Sequence, residues 1–586
     1  MTTEERAAIQ AKIDGLPSGG ISNKTINCKT YAYYQWMENG RQRSRRVQDD
    51  ELQSLSEALA ERKRLIALLR EDGADTPETV QLQHQVSCRL GTALRRYAVP
   101  VKKYKKRDCY SSLEQFVYGE QTDRVLILYG LRRTGKTTMI RQLVSEMPDE
   151  MLSQTVFIQI NASNTLAQVN RDLEQFEKNG YRYVFIDEVT LMEDFIEGAA
   201  LFSDIFASSG MKIVLSGTDS LGFLFAEDEE LYDRCILLHT TLIPYREFDR
   251  VLGIHGIDEY IRYGGTMSMG GVQYNLQPTF GTKQSTDDYV DTAIARNIQH
   301  SLKFYRDGGH FRHLYSLYEK NELTSAINRI IEDMNHRFTI EVLTRPFKSH
   351  DLRISASNLR ADRESPTDIL DRVDVAAITA RLKEILEIRN KEKQSIPIQE
   401  EHRYEIKEYL DLLDLTVDIP VVHTSDYNQS DSKTVITQPG LRYAQAKALI
   451  EQLLQDETFR ALSLEERNSV TERILNEIRG RMMEDIVLLE TQKAKPGAKV
   501  FQLQFPIGEF DMVVFYPDTA SCEIYEIKDS KERVPEQYRH LADDTKCKDT
   551  AFRFGPITGK YVLYRGDFGD EGDIRYLNVE EYLKEL

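Results

Sequence analysis

The stretch VLILYGLRRTGKTT, residues 125–138, passes from an apolar run into a glycine-rich loop. From Gly130 to Thr137 it fits the phosphate-loop pattern G-x-x-x-x-G-K-[S/T]. The apolar run predicts a strand and residues 137–146 predict a helix, so the loop has the strand–loop–helix context that the pattern requires. The sequence therefore predicts a site for a nucleoside triphosphate.

The residue types of the loop suit phosphate chemistry. Gly130 and Gly135 let the backbone curl, so that its N–H groups point at phosphate oxygens. The N-terminus of the following helix adds a favourable field for anions. We expect Lys136 to bridge the β- and γ-phosphates and Thr137 to offer its hydroxyl to Mg²⁺.

Two further apolar segments end in polar residues. The segment YVFIDE, residues 183–188, predicts a strand whose tip carries Asp187 as an Mg²⁺ ligand and Glu188 as the residue that polarises the attacking water. The segment KIVLSGT, residues 212–218, predicts a third strand, with Ser216 or Thr218 as a sensor beside the γ-phosphate. Three such strands separated by helical segments predict a parallel, helix-covered sheet with the ligand at the carboxyl ends of its strands.

These motifs predict ATP and Mg²⁺ as cofactors, with Glu188 as a catalytic residue and Thr137 and Asp187 as metal ligands. The predicted nucleotide-binding residues are Gly130, Arg133, Thr134, Gly135, Lys136, Thr137, Thr138, Asp187 and Ser216.

Composition is typical of a multidomain globular protein, with 586 residues, 41% hydrophobic and 29% charged. No apolar run approaches the roughly 18 residues of a membrane span, and residues 1–6 are polar, unlike a secretory signal. The six cysteines contain no C-x-x-C pair, which favours reduced thiols and argues against zinc. We therefore expect a cytoplasmic protein with no membrane partner.

The net charge of −18 provides no general attraction for nucleic acid, but two local patches are basic, residues 41–46 and 102–107. Each patch is equally compatible with a solvated charged surface or linker. Residues 20–47 predict a β-hairpin and residues 49–70 a helix. The hairpin aromatics, among them Tyr31 and Trp36, can stack on bases or form the core face of a small sheet.

The last 140 or so residues carry a second group of candidate residues, on strands predicted at 499–505, 509–515 and 522–528. Alternation along a strand places Glu526 and Lys528 on one face, where Asp511 of the neighbouring strand can meet them. Asp511 and Glu526 can hold Mg²⁺ and lower the pKa of a bound water, while Lys528 orients that water or stabilises phosphate charge. Glu484, on a predicted helix, can complete the cluster. The alternative is a sheet with ordinary surface ion pairs.

The motifs together resemble a prokaryotic family of AAA-type ATPases with a C-terminal PD-(D/E)xK nuclease-like domain. The resemblance covers residues 110–586. It is carried by the segments GLRRTGKT (130–137), FIDE (185–188), LSGT (215–218), PYREF (244–248), YGG (263–265), GEFD (508–511) and YEIK (525–528). It implies ATP roles for Lys136, Thr137, Asp187, Glu188 and Ser216, and metal and phosphodiester roles for Asp511, Glu526 and Lys528.

The implied architecture is a multidomain α/β protein with a parallel-sheet P-loop ATPase, a helical and winged-helix middle and a restriction-endonuclease-like α/β end. The expected domains are an N-terminal hairpin–helix module at 1–75, a helical basic linker at 76–107, the ATPase core at 108–250, a helical lid and winged-helix-like region at 251–440 and the nuclease-like domain at 441–586. Two features depart from the family pattern. Phe510 replaces proline before Asp511, and no arginine finger is identifiable among Arg132, Arg133 and Arg246.

Three functions remain open from the sequence. The first is an ATPase whose turnover drives nucleic-acid cleavage, with DNA as the expected partner and Asp511, Glu526 and Lys528 as catalytic residues beside Glu188. The second is a nucleotide-driven switch or scaffold whose C-terminal domain only binds. The third is a signalling ATPase that binds protein partners through its helical middle. Assembly into a homo-oligomer is compatible with all three.

Overall fold

The fold was analysed in a computed structural model. The structure describes residues 12, 16–17, 20–26, 29–38, 41–71, 84–120, 123–192, 194–218, 234–267, 278–295, 297–298, 302, 311–344, 384, 398–425, 430–455, 460 and 463–586. The chain divides into two compact units, Met1–Gln83 and His84–Leu586.

The first unit is a small antiparallel sheet with one helix. Its strands are β1 (Gly20–Ile26), β2 (Lys29–Glu38) and β3 (Arg41–Arg46), and helix α1 spans Asp49–Glu71. The predicted hairpin therefore gains a third strand, β1, which pairs along the whole of its length with β2. Tyr34 packs with Val47, Leu55 and Leu59 in the core of this unit. The side chains of Tyr31 and Trp36 lie outside the described residues.

The second unit begins with the ATPase region. Its elements are β4 (Ser87–Leu90), α2 (Gly91–Ala98), α3 (Tyr110–Tyr118), β5 (Val125–Tyr129), α4 (Lys136–Glu146), α5 (Asp149–Ser153), β6 (Thr155–Gln159), α6 (Leu166–Lys178), β7 (Tyr183–Asp187), α7 (Phe195–Gly198), a π-helix (Phe202–Ala207), β8 (Lys212–Gly217) and β9 (Cys235–His239).

These strands form one sheet in the order β4-β6-β7-β8-β5-β9. All neighbours are parallel except β4, which pairs antiparallel with β6 at the edge. Their sequences are nearly continuous apolar runs because helices cover both faces of the sheet. The predicted parallel P-loop sheet is confirmed, and the phosphate loop follows β5, which lies between β8 and the edge strand β9.

The helix predicted from residue 76 onward is wrong in part. Residues 72–83 lie outside the described residues, and 87–90 form strand β4 instead. The carboxylate of Asp172, on α6, accepts the backbone N–H groups of Gln85 and Val86, with a distance of 2.9 Å from Val86 N to Oδ2. This buried anchor fixes the chain beside β6, so pairing with the sheet prevails over local helix propensity.

A helical region follows the sheet. It contains α8 (Tyr245–Leu252), α9 (Ile257–Tyr263), α10 (Lys283–Tyr289), a π-helix (Val290–Ala295), α11 (Arg312–Glu319), α12 (Leu323–Thr344) and α13 (Glu400–Leu412). The apolar residues Ile294, Ile298 and Leu302, which recur at helical spacing in the sequence, are buried in one core cluster. Residues 363–395 lie outside the described residues, apart from position 384.

The remaining elements build a second sheet. They are β10 (Thr416–His423), β11 (Ser430–Ile436), α14 (Pro439–Leu453), α15 (Leu464–Ala494), β12 (Lys499–Gln504), β13 (Glu509–Tyr516), β14 (Ser521–Ile527), α16 (Asp544–Phe554), β15 (Ile557–Tyr564), β16 (Gly569–Glu571), β17 (Ile574–Asn578) and α17 (Val579–Glu585). The strand order is β11-β10-β12-β13-β14-β15-β17-β16.

Strands β10 and β11 differ from the arrangement expected of a separate winged-helix-like region. They form an antiparallel pair as expected of a wing, but β10 also pairs in parallel with β12, from Val421 with Gln502 to His423 with Gln504. The hairpin therefore extends the C-terminal sheet. Its buried residue Ile419 joins the same core cluster as Met512 and Val514 of β13, because a shared apolar core stabilises the hairpin more than exposure as a separate wing would.

In the part of the chain that the structure describes, no helix combines the length and the hydropathy needed to cross a membrane.

Candidate functional site

The phosphate loop curls between β5 and α4 as its glycines require. Gly130 has φ +141°, and a Cβ there would lie 2.6 Å from Thr240 Oγ1, so only glycine fits beside the segment that follows β9. Gly135 has φ +94°. Lys136 is buried, and its Nζ donates to the carbonyl oxygens of Gly130 and Leu131 at 2.8 and 2.9 Å. The loop thus holds a positive charge at its centre, where a phosphate would bind.

The predicted metal ligands of the ATPase region meet at the strand tips. Thr137 Oγ1 donates to Asp187 Oδ2 at 2.8 Å, and Ser216 Oγ donates to Asp187 Oδ1. Thr138 follows Thr137 in the first turn of α4 and is half-buried. A threonine hydroxyl and a carboxylate at this spacing are a donor set that fits Mg²⁺ together with nucleotide oxygens and water.

Glu188 sits in a strained backbone conformation. Its φ of +59° places a non-glycine residue in the left-handed region, and such strain concentrates at functional positions. Thr218 Oγ1 lies 3.5 Å from Glu188 Oε2 and 3.0 Å from Asn297 Oδ1. Thr218 therefore connects the strand tip to the helical region, through an asparagine that no sequence motif indicated.

Burial alters the acid–base properties of the site. It lowers the pKa of Lys136 to about 8, against the opposing effect of Glu188 and Asp187. Burial, together with the neighbouring Asp187, raises the pKa of Glu188. Both shifts favour neutral side chains, as expected for charged groups removed from water.

Arg107, the last residue of the second basic patch, is buried rather than part of a solvated surface. Its Nε donates to Glu247 Oε2 at 2.6 Å, and its Nη1 donates to the carbonyl oxygens of Thr134 and Thr240 at 2.8 and 2.7 Å. Its Nη2 donates to the Leu242 carbonyl at 2.7 Å. One guanidinium therefore ties the phosphate loop to the segment after β9 and to helix α8.

The arginine-finger candidates differ in surroundings. Arg133 adopts φ +66° and its Nη1 donates to Thr279 Oγ1 at 3.0 Å. Arg246 Nε pairs with Asp108 Oδ2 at 2.8 Å. Arg132 is exposed. Arg133 is exposed as well, and Arg246 is partly buried. Arg133 and Arg246 thus have local side-chain partners, while two of the three candidates, Arg132 and Arg133, are exposed to solvent.

The C-terminal candidates come together on two adjacent strands. Met512 of β13 pairs with Tyr525 of β14, so Asp511 and Glu526 are the next opposed positions in the register. Lys528 Nζ lies 2.9 Å from Asp511 Oδ2 and 2.7 Å from Glu526 Oε2. Asp511 and Glu526 are buried, and Lys528 is partly exposed. The three predicted side chains therefore form one cluster, which we name the acidic centre.

The acidic centre contains opposed pKa shifts. Burial, reinforced by Asp511, raises the pKa of Glu526. Burial also acts to raise the pKa of Asp511, but Lys528 and the N–H of Ile527 outweigh it and the pKa falls. Burial raises the pKa of the nearby Glu484 to about 7, and Arg481 opposes that shift. Two neighbouring carboxyls with opposite shifts are typical of sites where one is ionised and the other can hold a proton.

The acidic centre also has a vacant acceptor. Glu526 Oε1 is buried and receives no hydrogen bond from the described residues. Two carboxylates on adjacent strands, one with an unused oxygen, fit Mg²⁺, which binds through one or two carboxylates and keeps several waters. Among the described residues, no three His, Cys, Asp or Glu side chains form a ready metal-binding group. Water and a substrate phosphate would therefore have to supply the other ligands.

A chain of contacts runs from the phosphate loop toward the acidic centre. Tyr289 OH lies 3.4 Å from the Arg132 carbonyl oxygen and accepts a hydrogen bond from Gln438 Nε2 at 2.9 Å. Gln438 directly precedes α14. One turn further, Arg442 Nη1 donates to Asp485 Oδ2 at 2.6 Å. Asp485 neighbours Glu484 on α15, so one helix joins the surroundings of both sites.

A second contact region joins α8 to the C-terminal sheet and its helices. The N–H of Tyr245 donates to Glu490 Oε1 at 2.8 Å, and the hydroxyl of Tyr245 donates to Glu580 Oε2 at 3.0 Å. Arg565 makes a bidentate pair with Asp258 on α9, at 2.7 and 2.8 Å. The segment that follows the ATPase sheet is thus fixed to both α15 and α17.

Comparison with known proteins agrees with the geometry of the first site. A family described as an AAA domain matches residues 122–249. These residues form an AAA-type P-loop ATPase domain, which supports nucleotide binding and hydrolysis and usually implies Mg²⁺. No curated protein matches the chain in sequence.

Solved structures show only distant similarity. The Aeropyrum pernix ORC1 protein in complex with DNA is 14% identical with a TM-score of 0.20, over 62% of this chain and 93% of its own. C. elegans PCH-2 is 13% identical with a TM-score of 0.19, over 38% and 64%. The S. cerevisiae Hsp104–ADP complex is 11% identical with a TM-score of 0.22, over 66% and 50%. Similarity at this level assigns none of their properties to this chain.

Replacement of Arg107 by alanine is expected to destabilise the protein strongly. The change leaves Glu247 as an unpaired buried charge, which costs about 3–5 kcal/mol. Arg234→Ala is the control, because the Arg234–Asp204 pair is about half exposed and such pairs contribute about 0–1 kcal/mol. Denaturant unfolding measures both. Equal losses for the two variants would contradict the structural role of Arg107.

Glu490 is expected to make stability fall as pH rises. Burial raises its pKa to about 8 from the usual 4.5, so between these values the unfolded chain releases a proton that the folded protein keeps. The contribution is complete below pH 4.5 and lost as pH approaches 8. Glu490→Gln should therefore be more stable than wild type at pH 8, by an amount on the order of a few kcal/mol, and similar at pH 4.5.

The measurement is thermal unfolding across this pH range, with Glu472→Gln as the control because Glu472 is exposed on the same helix, α15. A pH-independent difference between Glu490→Gln and wild type would contradict the burial of an acid with a raised pKa.

Proposed function

We propose that this protein is an Mg²⁺-dependent ATPase whose nucleotide state controls cleavage of nucleic acid by its C-terminal domain. The observation that carries the nuclease part is the acidic centre, where Asp511, Glu526 and Lys528 meet on adjacent strands. The ATPase part rests on the AAA-type domain and on the positions of Lys136, Thr137 and Asp187 described above.

In the ATPase site, the backbone between Gly130 and Gly135 and the ammonium group of Lys136 bind the phosphates. Thr137 and Asp187 would hold Mg²⁺, and Ser216 orients the Asp187 carboxylate through its hydrogen bond. Glu188 is the residue that would polarise the attacking water and accept its proton. Arg133, Thr134 and Thr138 shape the loop around the phosphates.

In the acidic centre, Asp511 and Glu526 would hold Mg²⁺, which when bound makes a water molecule more acidic and polarises a phosphodiester. Lys528 already donates toward both carboxylates, so its ammonium group lies where it can orient that water or stabilise charge that builds up on a phosphate oxygen. Glu484 pairs with Arg481, and burial raises its pKa to about 7, so we propose it as the group that accepts a proton from that water.

Coupling between the sites is supported by helix α14. Gln438, directly before α14, bonds to Tyr289, which lies against the phosphate loop. One turn further, Arg442 of α14 pairs with Asp485 of α15, which neighbours Glu484. A change in the conformation of the loop on ATP binding or hydrolysis can therefore alter the position of α15 through this series of side-chain contacts. A demonstrated two-state response is what would establish such coupling.

A switch or scaffold with a silent C-terminal domain is the second candidate. It is favoured by the bonding of Lys528 to both carboxylates, since these contacts satisfy the charges of the acidic centre without a metal. In that case nucleotide binding would change affinity for nucleic acid or protein, and no cleavage would occur.

Glu526→Gln is expected to reduce Mg²⁺-dependent cleavage of plasmid and single-stranded DNA by roughly two orders of magnitude or more, because a metal ligand is lost. ATP hydrolysis should persist. The matched control is Glu523→Gln on the same strand, whose carboxylate accepts hydrogen bonds from the hydroxyls of Tyr516 and Tyr525 and lies 3.9 Å from Lys495 Nζ, away from the acidic centre. No cleavage by the wild type, with ATP hydrolysis intact, would favour the scaffold.

Gln438→Ala is expected to leave ATP hydrolysis and basal cleavage within about twofold of wild type while abolishing the effect of ATP on cleavage. The change removes the contact between α14 and Tyr289 but touches neither site. Gln452→Ala, on the same helix, serves as the control. Cleavage rates with and without ATP measure the effect, and retained ATP dependence in Gln438→Ala would exclude this route.

A further inference from the structure

The turn between β12 and β13 brings two basic residues against its backbone. The N–H of Phe505 donates to the Gly508 carbonyl at 2.9 Å and closes the turn. Gly508 has φ +84°, and a Cβ there would lie 2.5 Å from His540 Cε1 and 2.9 Å from Lys546 Nζ. Both side chains therefore pack directly on the turn. Asp511 follows Gly508 by three residues, within about 10 Å along the strand.

Hydrogen bonding defines the charge of this pair. Lys546 Nζ lies 2.6 Å from His540 Nδ1. Because an ammonium group only donates, Nδ1 is the acceptor and the imidazole is neutral, with its proton on Nε2. Burial and then the charge of Lys546 lower the pKa of His540 to about 4. His540 is thus a neutral support, and the positive charge belongs to Lys546.

No carboxylate among the described residues forms an ion pair with Lys546. Its Nζ lies 5.1 Å from the centroid of the Phe505 ring, and burial lowers its pKa. The carboxylates of Asp543, Glu526 and Glu509 act on it electrostatically without forming an ion pair. A half-buried ammonium that has no carboxylate ion-pair partner among the described residues, beside a candidate phosphodiester centre, is suited to a phosphate group, since charge-assisted hydrogen bonds are among the strongest.

The side chain next to this pair favours a polymer over a free anion. Ile507, which directly precedes Gly508, is 81% exposed. An apolar side chain at the tip of a turn can contact sugars or insert beside bases, as apolar wedges do in many nucleic-acid complexes. Free phosphate offers nothing for such a side chain to contact.

We propose that Lys546, positioned by His540, binds a phosphodiester of the nucleic-acid strand that enters the acidic centre, with Ile507 contacting the sugar or base beside it. This inference rests on the proposed function, because it assigns the substrate backbone to the same centre. It adds a binding subsite that the sequence motifs do not contain.

The test is equilibrium binding of a labelled single-stranded oligonucleotide and of its duplex to the full-length protein, without divalent metal, over a series of salt concentrations. Lys546→Gln should weaken binding about tenfold and reduce the slope of log affinity against log salt by about 1, as expected for one lost phosphate contact. Lys546→Arg should keep the slope. Lys548→Gln, an exposed charge on the same helix, is the matched control.

Ile507→Ser should weaken binding with the slope unchanged, because it removes no charge. The proposal would be overturned if the Lys546→Gln and Lys548→Gln variants bound the oligonucleotide with the same affinity and the same salt dependence. It would also be overturned by an effect of Lys546→Gln on binding of inorganic phosphate with none on oligonucleotide, or by an absence of oligonucleotide binding by the wild type. Absence of cleavage together with a normal Lys546 effect would instead reject the nuclease function and leave the subsite standing.

Discussion

The buried ion pair of Arg107 with Glu247 is the interaction on which the ATPase half of the structure depends. A guanidinium presents several donors in a rigid plane, and here these donors reach three backbone carbonyls as well as the carboxylate. The loop that would hold the phosphates, the exit of β9 and helix α8 are therefore fixed by one side chain. Since the carbonyl oxygens belong to different parts of the chain, no shorter residue could hold them together.

The same ion pair links the phosphate loop, through helix α8, to the C-terminal part of the chain. Helix α8 is fixed on one side by Glu247 and on the other by the contacts of Tyr245 with Glu490 and Glu580. Both contact points lie in the first turn of α8, and the carboxylates of Glu247 and Glu490 are buried, where each needs a specific donor. Movement of the loop must therefore either break a buried polar contact or move α8 with it.

The grouping of the candidate residues at each site was predictable from the sequence because short-range patterns specify their positions. The phosphate loop needs glycines at fixed spacing, and Asp511, Glu526 and Lys528 lie on strands whose alternation is visible in the sequence. The apolar runs of the parallel sheet were equally clear. Arg107, Gln438 and Asn297 were not predictable, because their partners lie far away in the chain and only tertiary packing brings them together. Strand β4 was missed for the same reason, since its anchor is Asp172 on α6. The sequence assigned β10 and β11 to a helical and winged-helix-like region at 251–440, apart from the C-terminal sheet, because local pairing of β10 with β11 gives no information about the second neighbour of β10.

That second neighbour has a consequence for how the chain folds. Val421 pairs with Gln502, and helices α14 and α15 lie between them in sequence, so the parallel ladder closes a long loop. Such contacts are slow to form because the chain loses conformational entropy on closing the loop before the contacts contribute any stabilising free energy. The β10–β11 hairpin is synthesised before β12, so one edge of β10 has no partner strand until β12 has been made. During that interval its exposed edge is a template for pairing with other chains, so we expect aggregation during synthesis to depend on this hairpin more than on the ATPase sheet.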